Sequence, residues 1–507
     1  MNMKQNRQIL DIIRANDTEH YDGIIAGMDD WQISYHLGSL RTAFLSCFVS
    51  DGERALEVGA GYGALTGMLL DHFDTVYAME SAQDCIEGLQ TRFRNRRNLK
   101  IIAETETDRK YDLILAVDCL DRPHTDREKT LRELKGLLTD NGILICNLHN
   151  RLGVRYLCGG QDAYVRQPFL IYRPDALLCR TEMDRMLTSV LKENFDMYMP
   201  VPDSSFCQML FSDQDLPVSS IRDRLFSYDP FGSSQVIYEP DLYDDLLRQG
   251  VFSAFANEYL VVYHNGTRPD NRMTSAVISA DRERSRAYRT VFHDDKTVTK
   301  TALYPEGTES LFRMYGNMET LRSRGVPVIE QAWENDHVKM PRYELPSLQN
   351  CLLSIAREGA GRLEQTFDDL YEMVLQSSEI IRTDEHGPVL ETGYIDMIPL
   401  NIFYNNGEYL YFDQEFTLPE CPAAYILYRA VLYAWLLIPE LEQIYPRQKM
   451  EERFHLTAYL HEYKKTEDAF VGRNRQWRTF GQYYRWQNQP QHAEEHRRLL
   501  KGKPDHD

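Results

Sequence analysis

The sequence predicts an α/β domain with a mostly parallel sheet, followed by a second domain of the α+β class. Strand-like and helix-like stretches alternate between residues 55 and 147, which is typical of a parallel sheet with helices on both faces. A glycine-rich loop follows the first of these strands. The chain has 507 residues, more than a single hydrophobic core accommodates, so we expect at least two domains.

The elements of the first domain follow from hydrophobic periodicity. Residues 9–14 predict a short amphipathic helix, and residues 31–48 carry apolar side chains at helical spacing. Strands are expected at 55–58, 75–79, 99–103, 113–117 and 142–147, and helices at 64–71, 82–93 and 127–138. A last strand is expected at 258–263.

Changes in composition divide the chain into segments. We expect an N-terminal helical segment (1–24), the first domain (25–268), a polar, turn-rich linker (269–287), the second domain (288–484) and a polar tail (485–507). Basic residues in the tail leave peripheral membrane association open, and a single chain does not predict the oligomeric state.

Charge and cysteine usage limit the function classes. The formal net charge is -20 and no long basic stripe is present, so a nucleic-acid partner is not expected. The nine cysteines are scattered without CxxC pairs, which favours structural thiols in a reducing cytoplasm over disulfides or a zinc site. The most apolar run, 423–438, is interrupted by Arg429 and is shorter than the ~20 residues that cross a bilayer, so a buried helix is expected.

The run from Glu57 to Gly63 (EVGAGYG) is a buried strand that breaks into a glycine-rich turn before a helix. Glycine is needed where the backbone takes a positive φ or approaches a ligand closely. Gly59, Gly61 and Gly63 therefore predict a cofactor loop, and two cofactors remain open, because Gly59-x-Gly61-x-x-Ala64 also satisfies a loose dinucleotide pattern. Glu57 favours S-adenosylmethionine, since a carboxylate helps to hold its cationic methionine end and repels a pyrophosphate.

Two further carboxylates are expected at the same edge of the sheet. Glu80 ends the second strand, where a carboxylate can accept hydrogen bonds from both ribose hydroxyls of either cofactor. Asp118 follows the fourth strand and is expected beside the methionine moiety. For both residues, an exposed charge at a strand end is the alternative interpretation.

The alternating glycines resemble motif I of the class I S-adenosylmethionine-dependent methyltransferases, which implies a Rossmann-like fold. Residues 55–68 (ALEVGAGYGALTGM) and 144–156 (LICNLHNRLGVRY) further resemble a bacterial group in which such a methyltransferase is fused to a kinase-like domain. That group is associated with surface polysaccharide synthesis, and its best-understood branch methylates and phosphorylates the growing end of an O-antigen glycan. The resemblance implies an acceptor hydroxyl or phosphate on a glycan or glycolipid-linked saccharide.

Two segments depart from that group. Residues 147–151 read NLHNR where relatives carry an acidic residue in IENRLG, and residues 117–121 read VDCLD where relatives show a Leu-Glu-Tyr step. His149 follows the strand at 142–147 and is the leading candidate for the base that removes a proton from an acceptor hydroxyl. A structural, hydrogen-bonded histidine is the alternative, and His124 and His36 are further candidates.

The second domain resembles the kinase fold in the order of a few polar residues. Lys300 lies in the middle of a predicted strand, and the helix predicted at 306–322 contains Glu309 and Glu319. The resemblance implies that Lys300 holds nucleotide phosphates and pairs with one of these glutamates. No glycine-rich loop precedes Lys300, so phosphotransfer and a purely structural or nucleotide-binding role both remain open.

The catalytic residues that the kinase resemblance implies lie further along the chain. Asp396 and Asn401 reproduce the D-x-x-x-x-N spacing of a catalytic loop, with Asp396 as the catalytic residue and Asn401 as a magnesium ligand. Asp413 is the second expected magnesium ligand, so ATP and Mg²⁺ are the implied cofactors. Asp413-x-Glu415 in place of D-F-G resembles small-molecule kinases.

The sequence thus predicts a cytoplasmic two-domain enzyme, a methyltransferase joined to a kinase-like domain, that modifies a glycan or small-molecule acceptor. Two alternatives stay open. The protein could be an interaction scaffold with degenerate enzyme folds, or an NAD-dependent oxidoreductase on the strength of the loose glycine match.

Overall fold

The computed structural model describes residues 3–28, 30–105, 108–162, 167–217, 221, 228 and 235–474. These residues form two compact units, divided between Ala280 and Asp281. The predicted tail at 485–507 and the predicted end of the second domain at 475–484 lie outside the described residues.

The first unit contains every strand and helix that the sequence predicts between residues 55 and 147, with ends that differ by a few residues. Its helices are α1 (Met3–Ala15), α2 (Asp22–Ile25), α3 (Trp31–Leu37), α4 (Thr66–His72), α5 (Gln83–Arg92), α6 (Arg127–Gly136), α7 (Val154–Leu157), α8 (Arg180–Leu191), α9 (Pro240–Arg248) and α10 (Phe252–Phe255). Its strands are β1 (Gly52–Val58), β2 (Phe73–Met79), β3 (Leu99–Ile102), β4 (Tyr111–Ala116), β5 (Leu138–His149), β6 (Phe195–Val201), β7 (Met209–Phe211), β8 (Glu258–His264) and β9 (Met273–Ile278).

The sheet of the first unit has the strand order β3-β2-β1-β4-β5-β8-β6-β7-β9. Strands β1 to β5 are parallel, and β8 lies antiparallel between β5 and β6. The strand order reverses between β1 and β4, because β2 and β3 lie on one side of β1 and β4 and β5 lie on the other. Open α/β sheets bind ligands at such a point, next to the carboxyl ends of the strands. The antiparallel β8 beside β5 differs from the dinucleotide-binding order, so the sheet is consistent with a Rossmann-like methyltransferase fold.

The N-terminal helices belong to the first unit and do not form a separate segment. Ile9 and Ile13 of α1 are fully buried and pack with Tyr21 against Tyr62 of the glycine loop and Cys85 of α5. The apolar face of α1 is therefore covered by α5 and by the glycine loop.

The predicted linker at 269–287 contains a strand as well as the division between the two units, which falls between Ala280 and Asp281. Residues 273–278 form strand β9, which pairs antiparallel with β7. Its Thr274 and Ser275 are buried, and their hydroxyls donate hydrogen bonds to the carboxylate of Asp215. Because these buried side chains are polar, the segment lacks the apolar pattern that marks a buried strand in a sequence.

The second unit contains an antiparallel sheet with one helix and a mainly helical part. Its strands are β10 (Tyr288–His293), β11 (Thr297–Ala302), β12 (Ala332–Glu334), β13 (His337–Pro341), β14 (Ile380–Asp384), β15 (Gly387–Tyr394), β16 (Ile402–Asn405), β17 (Glu408–Tyr411) and β18 (Thr417–Pro422). Its helices are α11 (Thr308–Ser323), α12 (Leu348–Glu358), α13 (Ala360–Gln376), α14 (Ala423–Leu437), α15 (Leu441–Ile444), α16 (Arg447–Arg453) and α17 (Leu460–Asn474).

Strands β10, β11, β13 and β12 pair antiparallel in that order, and β14-β15-β18 and β16-β17 form two smaller sheets. The expected α+β class fits this arrangement, and the kinase-like identity of the unit stays a prediction. The apolar run near residue 430 is helix α14, which is buried on most sides in the core of this unit, as expected. Among the described residues, no helix has both the length and the apolar character needed to span a membrane.

Candidate active site

The loop between β1 and α4 needs its glycines for conformation and for space. Gly59, Gly61 and Gly63 have φ values of 71°, 55° and 84°, in the left-handed region that other residues rarely adopt. A Cβ atom on Gly63 would lie 2.5 Å from the Phe93 ring, so this position is also closed sterically. The sequence prediction that these glycines serve backbone conformation is in agreement with this geometry.

Glu57 lies at the end of β1, with its carboxyl group buried beneath the loop. The hydroxyl of Thr66, the first residue of α4, donates a 2.6 Å hydrogen bond to it. Burial raises the pKa of Glu57 to about 7, because the charged form loses its hydration. Glu57 therefore supports the loop from inside and changes its charge near neutral pH.

Glu80 follows β2 and is tied directly to the glycine loop. One carboxylate oxygen accepts a 2.9 Å hydrogen bond from the backbone N–H of Gly61. The other oxygen accepts hydrogen bonds from the backbone N–H groups of Ser81 and Ala82, at the start of α5. The carboxylate is thus held in a fixed orientation at the edge of the glycine loop.

A cavity of about 160 Å³ lies against this loop. Its lining includes Glu57, Glu80 and the candidate base His36. It also includes three residues that the sequence analysis did not assign to the site: Tyr35, Arg41 and Arg122. The exposed guanidinium of Arg122 lies close to the loop, since a Cβ atom added to Gly59 would be 2.8 Å from it. Burial lowers the pKa of His36 to about 3, so its ring is neutral but has too little proton affinity to act as an effective base.

Asp118 follows β4 and joins the cavity to the neighbouring part of the site. Arg41 forms a 2.9 Å ion pair with its Oδ2 atom, to which the Tyr35 hydroxyl also donates a hydrogen bond. Its Oδ1 atom accepts a 2.9 Å hydrogen bond from the side-chain amide of Asn147. Burial opposes ionisation, but hydrogen bonding from His149 and the charge of Arg41 outweigh it and hold the pKa of Asp118 well below its usual range.

His149 ends β5 and lies among three carboxylates. Its Nε2 atom is 3.2 Å from Glu258 and 3.6 Å from Asp118, and its Nδ1 atom is 3.4 Å from Asp162. Burial disfavours the charged ring, but these carboxylates outweigh it and raise the pKa of His149 well above its usual value. A general base needs a neutral ring, so the predicted role of His149 as base is opposed by its surroundings.

Aromatic rings lie next to Asp118 on the side of α3. The ring of Trp31 is 5.9 Å from that of Tyr35 and 5.3 Å from that of Tyr228. The Tyr228 hydroxyl donates a 2.9 Å hydrogen bond to Asp203, which also pairs with Arg155. The site beyond the cavity therefore combines aromatic faces with buried carboxylates.

In the second unit, the structure brings together Lys300 of β11 and Asp413, which form an ion pair. Neither Glu309 nor Glu319 pairs with Lys300 among the described contacts. Glu319 instead pairs with Arg322 one turn further along α11. The expected lysine–glutamate pair is therefore wrong for this structure, because the nearest acceptor for the Lys300 ammonium is the carboxylate of Asp413.

Asp396 and Asn401 are adjacent, but the protein itself engages Asp396. The Asn401 amide donates a 3.2 Å hydrogen bond to the backbone carbonyl of Asp396. The Asp396 carboxylate accepts a 3.0 Å hydrogen bond from the N–H of Phe416 and lies 3.3 Å from the guanidinium of Arg429. Burial raises the pKa of Asp396, although Arg429 opposes the shift. The predicted catalytic and magnesium roles of these residues, and of Asp413, stay predictions.

Comparison with known proteins finds one similarity to a protein family, within the first unit. Residues 45–153 match the profile of the DREV methyltransferase family. A search of curated protein sequences finds no match. The matched segment contains the glycine loop, Glu80, Asp118 and His149, so it is the part of the chain that carries the site that is similar to this family.

Solved structures with matching folds include several methyltransferases. The plantazolicin methyltransferase BamL, solved with S-adenosylhomocysteine, is 15% identical over 51% of this chain and 99% of its own, with a TM-score of 0.30. The N-methyltransferase NodS of Bradyrhizobium japonicum is 14% identical over 52% of this chain and 100% of its own, with a TM-score of 0.27. A precorrin-8w decarboxylase of Methanobacterium thermoautotrophicum is 17% identical over 22% of this chain and 62% of its own, with a TM-score of 0.19. A precorrin-6y C5,15-methyltransferase of Geobacter metallireducens is 11% identical over 21% of this chain and 60% of its own, with a TM-score of 0.19. This chain therefore spans less than two thirds of either protein.

Proposed function

We propose that the first unit is an S-adenosylmethionine-dependent methyltransferase. The observation that carries the proposal is the cavity at the switch point of the sheet, bounded by the left-handed Gly59–Gly63 loop and by two carboxylates. Glu80 is the proposed partner of the ribose hydroxyls, and Arg41 and Arg122 supply cations for the carboxylate of the methionine moiety. The match of residues 45–153 to a methyltransferase family supports the same conclusion.

The alternative, an NAD-dependent oxidoreductase, fits this cavity less well. A pyrophosphate next to Glu57 and Glu80 would face two carboxylates, one of them buried. The antiparallel β8 also takes the place that a parallel strand has in dinucleotide-binding sheets.

Calorimetric titration of the full-length protein tests this proposal. We expect S-adenosylhomocysteine to bind with one ligand per chain, and NAD not to bind. Glu80→Gln should weaken S-adenosylhomocysteine binding by roughly 10-fold or more, since a charged acceptor is lost from the ribose site. Glu53→Gln, an exposed substitution on β1, is the matched control and should bind as the wild type does. Binding of NAD in place of S-adenosylhomocysteine would contradict the proposal.

We further infer that the acceptor is a saccharide hydroxyl. The resemblance of the first domain to polysaccharide-modifying methyltransferases is the starting point. The carboxylates of Asp118, Asp162 and Glu258 around His149 repel a phosphate, which disfavours methylation of a phosphate group. Such carboxylates accept hydrogen bonds from hydroxyls, and the Trp31 and Tyr35 rings offer apolar faces to a sugar ring.

Labelled methyl groups report the class of acceptor directly. The protein is incubated with cell extract and S-adenosylmethionine that carries a radioactive methyl group, and the extract is then separated into saccharide, protein, lipid and nucleic-acid fractions. We expect the label in saccharide or lipid-linked saccharide. Label that stays with protein after glycosidase treatment would exclude a saccharide acceptor.

A second candidate function, nucleotide binding by the second unit, is favoured by the Lys300–Asp413 pair. In this proposal the Lys300 ammonium binds phosphate, Asp413 and Asn401 hold Mg²⁺, and Asp396 faces the acceptor. Titration with Mg²⁺-ATP tests it, with Lys300→Met expected to abolish binding. Lys339→Met, on the adjacent strand β13, is the control because Lys339 is half-exposed and pairs with Glu334. If neither ATP nor S-adenosylhomocysteine binds, the scaffold alternative is favoured.

The proposed location is the cytoplasm. All nine cysteines lie within the described residues, and all are free thiols. Free and mostly buried thiols are typical of proteins in a reducing compartment.

A further inference from the structure

Three side chains from separate strand ends converge beside the cofactor cavity. Asp118 follows β4, His149 ends β5 and Glu258 begins β8, and each offers one ligand atom within 4.8 Å of the other two. The Nε2 atom of His149 lies 3.2 Å from the Glu258 carboxylate and 3.6 Å from the Asp118 carboxylate. Ligands about 2.1 Å from a shared ion lie roughly 3.0–3.4 Å apart in octahedral or tetrahedral geometry, so these separations are close to those of a coordination sphere.

We propose that Asp118, His149 and Glu258 bind a divalent first-row metal ion. One imidazole nitrogen and two carboxylate oxygens suit the ions from Mn²⁺ to Zn²⁺ better than Mg²⁺ or Ca²⁺, which prefer oxygen ligands alone. Coordination requires a neutral Nε2 atom, so the metal ion takes the place of the proton on that nitrogen.

Neighbouring groups orient the three ligands. The side-chain amide of Asn147 donates hydrogen bonds to Oδ1 of Asp118 (2.9 Å) and to Oε2 of Glu258 (3.3 Å), which holds these two oxygens on the same side as His149.

Asp162 lies 3.4 Å from the Nδ1 atom of His149, on the far side of the ring, and its own carboxylate accepts a 3.0 Å hydrogen bond from Tyr156. A carboxylate on the second ring nitrogen is the usual way in which a metal-binding histidine is oriented. The second oxygen of Glu258 accepts a hydrogen bond from the backbone N–H of Ser204.

Burial distinguishes this group from the acidic clusters that are common on protein surfaces. The side chains of Glu258 and Asp118 are 3% and 8% exposed, and that of His149 is 17% exposed. Buried carboxylates are stable only when a cation or hydrogen bonds compensate them. The larger exposure of His149 leaves one side of the centre open, where water or an acceptor atom completes the coordination.

A metal ion here would supply the step that His149 is poorly placed to perform. A divalent cation lowers the pKa of a bound hydroxyl, so the acceptor oxygen loses its proton to solvent and becomes a better nucleophile. This role rests on the proposed methyltransferase function, whereas the binding of the ion does not.

Calorimetry on the full-length protein tests the site itself. The protein is stripped with a chelator and titrated with Mn²⁺ and, separately, with Zn²⁺, and S-adenosylhomocysteine is titrated on the same preparations. We expect one ion per chain. Asp162→Asn should weaken ion binding about 10- to 100-fold, and His149→Gln and Glu258→Gln should weaken it more. His264→Gln, at the other end of β8, is the matched control and should leave ion binding unchanged.

Electron spin-echo spectroscopy of the Mn²⁺-loaded wild type gives a readout that does not depend on how the variants fold. We expect nitrogen coupling from one imidazole. The proposal is wrong if no stoichiometric ion binds, if His149→Gln binds as tightly as the wild type, or if no nitrogen coupling is present. S-adenosylhomocysteine binding without metal binding would overturn this site alone and leave the proposed function standing.

Discussion

The buried carboxyl group of Glu57 makes the stability of the first unit depend on pH. Burial raises its pKa from 4.5 to about 7. Because the folded-state pKa is raised, the stabilising contribution of the neutral group is complete below pH 4.5 and is lost as the pH rises through about 7. A tenfold change in proton affinity corresponds to about 1.4 kcal/mol, so ionisation of Glu57 costs the folded unit roughly 3 kcal/mol.

Glu57→Gln isolates this cost. Glutamine has the same shape and can accept the hydrogen bond from Thr66, but it does not ionise. The free energy of unfolding of the variant should match that of the wild type at about pH 4 and exceed it by roughly 3 kcal/mol at about pH 8.5. All other groups titrate alike in both proteins, so they cancel in the difference.

Urea unfolding followed by hydrogen exchange of peptides from β1 measures this difference for the first unit alone. Glu53→Gln, on the same strand but exposed, should show a difference that does not change with pH. The reasoning is refuted if the Glu57→Gln difference is also independent of pH, or if the variant is the less stable protein above pH 8.

Two further substitutions test packing at named positions. Gly63→Ala should lower the free energy of unfolding by roughly 1–3 kcal/mol, because it combines a positive φ with a 2.5 Å approach to Phe93. Gly67→Ala in α4 is the control, because its new Cβ atom would lie at an ordinary 3.5 Å from the same ring. This substitution should stabilise the protein by about 0.5–1 kcal/mol, since alanine favours the helix over glycine. Equal effects of the two substitutions in urea unfolding would contradict this reasoning. Arg429→Met should destabilise the second unit by roughly 3–5 kcal/mol, since it leaves the buried Glu467 carboxylate without its ion pair; an unchanged melting temperature would show that the pair is dispensable.

The parallel part of the sheet could be predicted because its signals are local. Strands β1, β2 and β4 each contain a short apolar run with a carboxylate near its carboxyl end: Glu57 within β1, Glu80 directly after β2 and Asp118 two residues after β4. This regularity also located Glu57, Glu80 and Asp118, which the structure brings to the neighbourhood of one cavity. What these residues bind stays a prediction, because position at an edge does not specify a ligand.

Glu258 and Asp162 could not be found in this way. Glu258 begins a strand that inserts antiparallel beside β5, and strand insertion depends on pairing between segments about 110 residues apart in the sequence. Asp162 lies in a segment without a regular repeat. Both residues look like ordinary surface charges in the sequence, and only folding places them against the two ring nitrogens of His149.

In the second unit, the sequence did not predict which charged residues pair with each other. Lys300, Asp396, Asn401 and Asp413 were grouped by their resemblance to kinases, and their roles stay predictions, whereas the expected partner of Lys300 was a glutamate of α11. Lys300 contacts Asp413, and Asp396 contacts Arg429, a residue that the sequence showed only as a charge interrupting an apolar run. Ion pairs between distant segments are decided by which charges are nearest after folding, and spacing in the chain does not encode this.

The two oxygens of the Asp118 carboxylate face different neighbours. Oδ2 contacts Arg41 and Tyr35, which line the cavity beside the glycine loop, and Oδ1 contacts Asn147 and His149 of β5. A ligand that draws Arg41 away from this carboxylate increases the negative charge that Asp118 presents to His149. Linkage then requires the reverse effect with an equal free energy, so affinities on the two sides of Asp118 should change together and not independently.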